Sequence, residues 1–204
     1  MSVNSIKLII FDLDGTLIDL HINWDSVKNK LKELFNRNVP SESLFSFIEY
    51  MTINNTNLRK EAFKIIESEE LKCIEDIIFD LELYKLFEKL KERNKTIALV
   101  TLQSKTVALM VLNKLKILNF FSIIISREDS LDRKIQIKQV LLKLGFKPNE
   151  TLFISDLEKD IVLAKEIGCK TAIVTKSKKL KLIKPDYKLQ NIKALSKLLS
   201  FIND

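Results

Sequence analysis

Residues 7–16 read KLIIFDLDGT, and they contain the strongest structural signal in the chain. The apolar run Leu8–Phe11 is short, unbroken and rich in Ile, which is typical of a strand buried on both faces. Gly15 then marks the point where the chain turns away. Residues two apart on a strand point the same way, so Asp12 and Asp14 are expected to face one ligand at the strand's carboxyl end.

Two carboxylates at this spacing suit two kinds of chemistry. Hard divalent cations such as Mg²⁺ take oxygen ligands, so both can serve a metal. Alternatively, one carboxylate acts as a nucleophile and its neighbour as an acid and base. A surface turn that caps the next helix is the ordinary explanation of a lone DxDG, but here the characteristic stretch is longer than DxDG, so we reject that explanation for Asp12 and Asp14.

Apolar runs and helical patterns alternate through the second half of the chain. Strands interleaved with helices of this length predict an α/β fold, with a parallel sheet flanked by helices on both faces. We predict strands at 6–12, 96–101, 122–126, 151–155 and 171–174, with helices at 83–93, 106–115, 135–144, 161–167 and 191–201.

Between Trp24 and about Glu82 the pattern is different. Apolar residues recur at helical spacing and no strong strand signal interrupts them. Pro40-Ser41 and residues 54–57 look like breaks with helix N-caps. We predict a small all-helical domain of about four helices at 19–83, inserted into a core domain formed by 1–18 and 84–204.

The segment FDLDGTLID at residues 11–19 closely resembles the first motif of the haloacid dehalogenase (HAD) superfamily phosphatases. The resemblance implies a Rossmann-like core, and a helical cap domain where the helical insertion lies. It covers residues 6–18 and about 84–190, and the core is similar to that of phosphoglycolate phosphatases. It also implies three further signals in a fixed order.

Two of these signals are readily found. Thr101 ends the second predicted strand, where the family places a Ser or Thr hydroxyl that holds a phosphate oxygen. Asp156 and Asp160 follow the fourth strand and match the family's acidic pair, with Ser155 in place of the usual Gly. The resemblance implies that Asp156 binds Mg²⁺ directly. Asp160 would bind it directly or through water, or would orient the phosphate-binding lysine.

The remaining signal is a lysine before the helix that leads to strand four, usually in the form Lys-Pro. This chain lacks that Pro, and Arg133, Lys134 and Lys138 all compete for the role. Lys134 fits best because it opens the helix as in relatives without the Pro. Its role would be to neutralise the phosphate and the nucleophile together.

Composition excludes several other classes of protein. The net charge is +7, but the lysines are spread along helices beside glutamates, and the one dense cluster, Lys176–Lys184, has no interleaved aromatic residues. We therefore expect no nucleic-acid partner. No apolar run reaches the roughly 20 residues that cross a bilayer, and no signal peptide is evident, so a cytoplasmic location without membrane attachment is expected. A monomer and a homodimer are equally compatible with the sequence.

The resemblance implies a Mg²⁺-dependent phosphatase acting on a small phosphorylated metabolite. Asp12 would attack phosphorus, Asp14 would act as acid and base, and Thr101 and Lys134 would hold the phosphoryl oxygens. Asp12, the Asp14 carbonyl, Asp156 and Asp160 would hold Mg²⁺. Two alternatives stay open: a phosphomutase on the same scaffold, and a non-catalytic protein that binds phosphorylated ligands.

Overall fold

The computed structural model describes residues 5–40, 44–175, 180 and 184–202. Contacts divide the chain into two compact units, Met1–Asp19 with Ile78–Asp204, and Leu20–Ile77. The described elements, in chain order, are β1 (Leu8–Phe11), α1 (Trp24–Phe35), α2 (Leu44–Met51), α3 (Thr56–Lys72), α4 (Leu81–Glu92), β2 (Thr96–Val100), α5 (Lys105–Lys114), β3 (Ile123–Ile125), α6 (Arg133–Leu144), β4 (Thr151–Ser155), α7 (Glu158–Ile167), β5 (Lys170–Val174), β6 (Tyr187–Leu189) and α8 (Leu195–Ile202).

The described strands of the first unit form one six-stranded sheet in the order β3-β2-β1-β4-β5-β6. Every neighbouring pair runs parallel. Helices connect the first five strands in turn, as is usual between parallel neighbours. This arrangement confirms the predicted α/β class with a Rossmann-like parallel sheet.

Strand β1 lies at the centre of the sheet and is buried on both faces. All four of its residues have no exposed surface, as the unbroken apolar run predicts. Phe11 packs against Phe87 of α4 with ring centroids 5.4 Å apart. On the register of the sheet, Phe11 lies opposite Leu99 of β2 and Ile154 of β4. The carboxyl ends of these three strands therefore lie side by side.

The helices of the first unit begin and end at residues that satisfy their terminal backbone groups. Asp80 and Asp132 accept hydrogen bonds from first-turn backbone N–H groups of α4 and α6. Gly168 ends α7 in the left-handed conformation, with φ of 97°. The cap at Asp132 fixes where α6 begins, two residues earlier than the pattern predicts.

The described residues of the second unit form three helices, where the sequence predicts about four. The predicted fourth helix, around residues 74–81, is wrong: residues 73–76 form turns, and residues 77–80 have no regular secondary structure before α4 begins at Leu81. Its apolar residues do have helical spacing, but Asp80 caps α4 and so ends the connection there. The predicted break at Pro40-Ser41 falls at the edge of the described residues, and Ser41 lies outside them.

Glu69 holds two helices of the second unit together. Its carboxylate on α3 accepts hydrogen bonds from Ser26 and Lys30 of α1, at 3.0 and 2.6 Å, and from Lys72 at 2.7 Å. These lysines lower the pKa of the Glu69 carboxyl to about 2, although burial opposes the shift. Ion pairs and hydrogen bonds thus connect α1 and α3 of this unit, in addition to its apolar contacts.

Two sequence expectations concern surfaces. The basic cluster at Lys176–Lys184 lies outside the described residues, except for Leu180 and Lys184. Among the helices of the described part of the chain, none is both long and apolar enough to span a bilayer.

Candidate active site

The carboxyl ends of the central strands carry the polar side chains that the sequence singles out. Asp12 follows β1, Thr101 follows β2 and Asp156 follows β4. The Asp12 N–H donates to the Ile154 carbonyl at 2.9 Å, which fixes Asp12 against the neighbouring strand. Open parallel sheets bind ligands at this edge.

Arg133 is the cation at the centre of this cluster. Its Nη2 donates to Asp12 Oδ1 at 2.8 Å, and its Nε donates to Asp160 Oδ2 at 3.0 Å. Its Nη1 donates to Gln136 Oε1 at 2.9 Å. Arg133 is 6% exposed, and both carboxylates are as deeply buried. Burial disfavours the charged guanidinium, but Asp12 and Asp160 outweigh it and raise the pKa of Arg133.

Lys134, which the sequence analysis selects for this role, lies outside the cluster. Its Nζ pairs with Glu166 of α7 at 2.7 Å on the protein surface. Neighbouring residues on a helix point about 100° apart, so only one of Arg133 and Lys134 can face the strand ends. The structure places Arg133 there, and this corrects the choice of Lys134. Lys138, the third competitor, is exposed.

The pKa of Asp12 is raised above that of an ordinary aspartate carboxyl. Burial raises its pKa to about 7, and Asp160 and Asp156 add to that effect. Arg133 and the Leu13 backbone N–H work in the opposite direction. A carboxyl whose pKa is strongly raised by burial, beside a specific cationic partner, is typical of functional sites.

Asp156 packs against the turn that follows β1. A Cβ at Gly15 would lie 2.4 Å from Asp156 Oδ2, so only glycine allows this approach. Gly15 also has φ of 75°, a conformation that favours glycine. Ser155, in place of the usual Gly, is simply the last residue of β4, and its Oγ accepts from the Leu157 N–H at 3.2 Å.

The acidic residues around Asp156 suit a cation. Asp156 Oδ1 is buried without a hydrogen-bond partner, a sign of an absent ligand. Burial raises the pKa of Asp156 to about 6, and the charges of Asp14, Asp160 and Asp19 add to this. No three His, Cys, Asp or Glu side chains in the described ranges form a complete metal site. Mg²⁺ commonly uses only one or two carboxylates with water and substrate phosphate, so these residues fit it.

Thr101 is fully buried and is held by local hydrogen bonds. Its hydroxyl donates to Gln103 Oε1 and accepts from the Gln103 N–H at 3.1 Å. Gln136 Nε2 donates to the Thr101 carbonyl at 2.8 Å, which links Thr101 to Arg133 through one amide. Sequence reasoning did not identify Gln103 or Gln136 as site residues, because glutamines on helices and turns carry no motif.

The profile of the haloacid dehalogenase-like hydrolase family matches residues 9–174. The chain belongs to this family. The resemblance carried by FDLDGTLID is thereby confirmed, and the protein is a hydrolase of the HAD type.

Related proteins and structures agree with this membership. Pyrophosphatase PpaX from Oceanobacillus iheyensis is 32% identical over 203 residues, covering 93% of this chain and 94% of its own. The L-2-haloacid dehalogenase from Xanthobacter autotrophicus superposes with a TM-score of 0.67 at 14% identity, covering 96% of this chain and 98% of its own. A predicted phosphoglycolate phosphatase from Haemophilus somnus gives 0.62 at 20% identity, covering 95% and 97%. At such identities the two structures show a shared fold alone.

The ion pair between Arg133 and Asp12 should affect the titration of the Asp12 carboxyl. Arg133→Met removes the cation that lowers the pKa of Asp12, so that pKa should rise above about 7 in metal-free protein. Titration of the Asp12 carboxyl carbon by NMR measures this. Lys134→Met is the matched control and should leave the titration unchanged. A shift caused by Lys134→Met, with none from Arg133→Met, would contradict this description of the site.

Proposed function

We propose that the protein is a Mg²⁺-dependent phosphatase that works through an aspartyl phosphate on Asp12. The observation that carries the proposal is the buried ion pair between Arg133 and Asp12, at the carboxyl edge of the sheet and beside Asp160. A carboxylate that is oriented by a cation, with an acidic neighbour two residues away, suits nucleophilic attack on phosphorus. The substrate class is a small phosphorylated metabolite.

In the first step, an oxygen of Asp12 forms a bond to phosphorus, and the bond from phosphorus to the leaving oxygen breaks. Asp14 gives its proton to that oxygen as a general acid. The guanidinium of Arg133, fixed on Asp12 Oδ1, lies where it can stabilise the charge of the transferring phosphoryl group. The hydroxyl of Thr101 is proposed to release Gln103 Oε1 and to donate instead to a phosphoryl oxygen.

In the second step, Asp14 takes a proton from water, and the water oxygen bonds to phosphorus. The bond between phosphorus and Asp12 breaks, which releases inorganic phosphate and restores both carboxyl groups. Asp14 therefore acts first as an acid and then as a base.

The bound Mg²⁺ would reduce the repulsion between the phosphate and the site carboxylates. Asp12, the Asp14 carbonyl and Asp156 are proposed to hold it. Asp156 supports this assignment with its buried, unpartnered Oδ1. Asp160, which Arg133 already binds through Nε, is proposed to orient Arg133 and to contribute to the metal site through water.

The fold alone does not choose between hydrolysis of a phosphate and removal of a halogen, because relatives in structure include both kinds of enzyme. Asp14 favours the phosphatase, because departure of an oxygen leaving group needs a proton and departure of a halide does not. The relative from Oceanobacillus iheyensis, 32% identical to this chain, is a pyrophosphatase. Inorganic pyrophosphate is therefore a candidate substrate beside phosphomonoesters. The helical unit Leu20–Ile77 is proposed to act as the cap that selects the leaving group.

Phosphate release from a panel of phosphomonoesters and pyrophosphate, with Mg²⁺ or with EDTA, tests the proposal. We expect turnover only with Mg²⁺, none in Asp12→Asn, and a kcat about 10²–10⁴-fold lower in Asp14→Asn. Arg133→Met should lower kcat by about 10²–10³-fold, because it removes a stabilising donor. Lys134→Met is the control and should retain activity.

The outcomes of this assay separate the proposal from its alternatives. An isomerised product without free phosphate would indicate a phosphomutase. Tight binding of phosphorylated compounds by folded protein, without turnover, would indicate a binding protein. Either result would contradict hydrolysis.

The stability of the metal-free protein should depend on pH through the carboxyl of Asp156. The pKa of Asp156 is raised to about 6, so its contribution to the stability of metal-free protein is present below about pH 4 and is lost as the pH rises through 6. Asp156→Asn should therefore stabilise metal-free protein at pH 8 by about 1 kcal/mol, after allowance for solvent screening, and have little effect at pH 4.

Thermal unfolding with and without Mg²⁺ measures both parts of this effect. Mg²⁺ should raise the melting temperature of the wild type at pH 8, and Asp156→Asn should lose most of that increase. Glu61→Gln, at an exposed position on α3, serves as the control. An Asp156→Asn variant that is less stable than the wild type in EDTA at pH 8, and keeps the full response to Mg²⁺, would be the contrary result.

A further inference from the structure

Gln136 lies in the interior of the first unit, three residues after Arg133 on α6, and has no exposed surface. Its Oε1 accepts a hydrogen bond from Arg133 Nη1 at 2.9 Å. Its Nε2 lies 2.8 Å from the Thr101 carbonyl oxygen, 3.2 Å from that of Ser126 and 2.8 Å from that of Ser130. Both polar atoms of the amide are therefore engaged.

These partners allow only one orientation of the amide. Carbonyl oxygens can only accept, and a guanidinium can only donate, so Nε2 must face the carbonyls and Oε1 must face Arg133. The amide NH₂ has two hydrogens for three carbonyls, so one hydrogen is shared. A flip would place Oε1 against carbonyl oxygens and the NH₂ group against the guanidinium, so the amide would lose its hydrogen bonds in a buried environment, which is unfavourable.

The three carbonyls belong to different segments of the site. Thr101 and Ser126 directly follow β2 and β3, and Ser130 lies in the connection to α6. Through one amide, the guanidinium of Arg133 is thus tied to the backbone that carries Thr101. The spacing between the two proposed phosphate-holding groups depends on this tie.

Gln136 differs from the other partners of Arg133 in its charge. Asp12 and Asp160 hold the guanidinium by ion pairs. When Asp12 becomes an acyl phosphate, its carboxylate charge is lost and the negative charge moves to the phosphoryl oxygens, so the guanidinium is drawn away from its position on Asp12 Oδ1. The neutral amide of Gln136 has no part in that change and keeps its contact.

We propose that Gln136 is a positioning residue, which holds the guanidinium of Arg133 in place while Asp12 passes through its covalent state. This inference rests on the proposed phosphatase function. A positioning defect acts on the transition state more than on substrate binding. Loss of Gln136 should therefore lower kcat more than it raises KM.

A double-mutant cycle on Gln136 and Arg133 tests the proposal. Gln136→Met keeps the side-chain volume close and removes both polar contacts. It should lower kcat about tenfold in the native background, the effect of one charge-assisted hydrogen bond. Lysine at position 133 has no Nη1 for the amide to hold, so in Arg133→Lys the same change should cost far less. Equal losses in both backgrounds would show a merely structural role and overturn the inference.

An NMR measurement tests the contact between Gln136 and Arg133 independently of activity. The NMR resonance of Arg133 Nη1 in the metal-free wild type reports its contact with Gln136 Oε1, so it should shift in Gln136→Met, while that of Nη2, which Asp12 still holds, should change less. Gln139→Met on the same helix is the control, since Gln139 Oε1 is buried without a partner. If Gln136→Met does not fold, Gln136→Asn replaces it, because the shorter amide cannot reach the carbonyls and Arg133 together. Unchanged resonances and kcat in that variant would overturn the inference.

The two proposals fail in different ways. A folded wild type that releases no phosphate would refute the proposed function, and the positioning role would fall with it. A wild type that turns over with Mg²⁺, combined with equal losses across the cycle, would refute only the role of Gln136.

Discussion

The structure of the site depends on the buried guanidinium of Arg133, held between Asp12 and Asp160. Three segments meet at this ion pair: the end of β1, the start of α6 and the first turn of α7. Removing one member of a buried ion pair typically costs about 3–5 kcal/mol, because the remaining charge is left uncompensated. The same contact that orients Asp12, the proposed nucleophile, thus also fixes the packing of these segments around the carboxyl edge of the sheet.

One cation does not balance the acidic residues around it. Asp12, with a pKa near 7, and Asp156, with a pKa near 6, both show that further negative charge is unfavourable in this part of the protein. A divalent cation at Asp156 would relieve that repulsion and favour the ionised form of Asp12. In the proposed mechanism, Asp12 would therefore be most reactive after the cation binds, and the burial of the carboxylates would be the reason for the metal dependence.

The sequence predicts the sheet well and the helix faces less well. Unbroken apolar runs determine the central strands, so Asp12, Thr101 and Asp156 fall at strand ends as expected. The sequence does not show that Arg133 rather than Lys134 faces Asp12, because adjacent basic residues differ only in the direction they face on α6, and the cap at Asp132 sets that direction. No sequence motif identifies Gln136, because its proposed role depends on hydrogen bonds to carbonyls that lie up to 35 residues away in the chain. The apolar residues at 74–81 likewise have helical spacing, although the chain forms no separate helix there.

The central claim is that Asp12 becomes covalently phosphorylated, and direct trapping of that state tests it best. Protein mixed with pyrophosphate or an active phosphomonoester and Mg²⁺, then quenched in acid and treated with borohydride, should contain homoserine at position 12, because borohydride reduces an acyl phosphate to an alcohol. Peptide mass spectrometry locates the change. Modification at Asp12 alone, dependent on Mg²⁺, is the predicted result. Multiple turnover with no modified Asp12, or with the modification at another carboxylate, would contradict the mechanism.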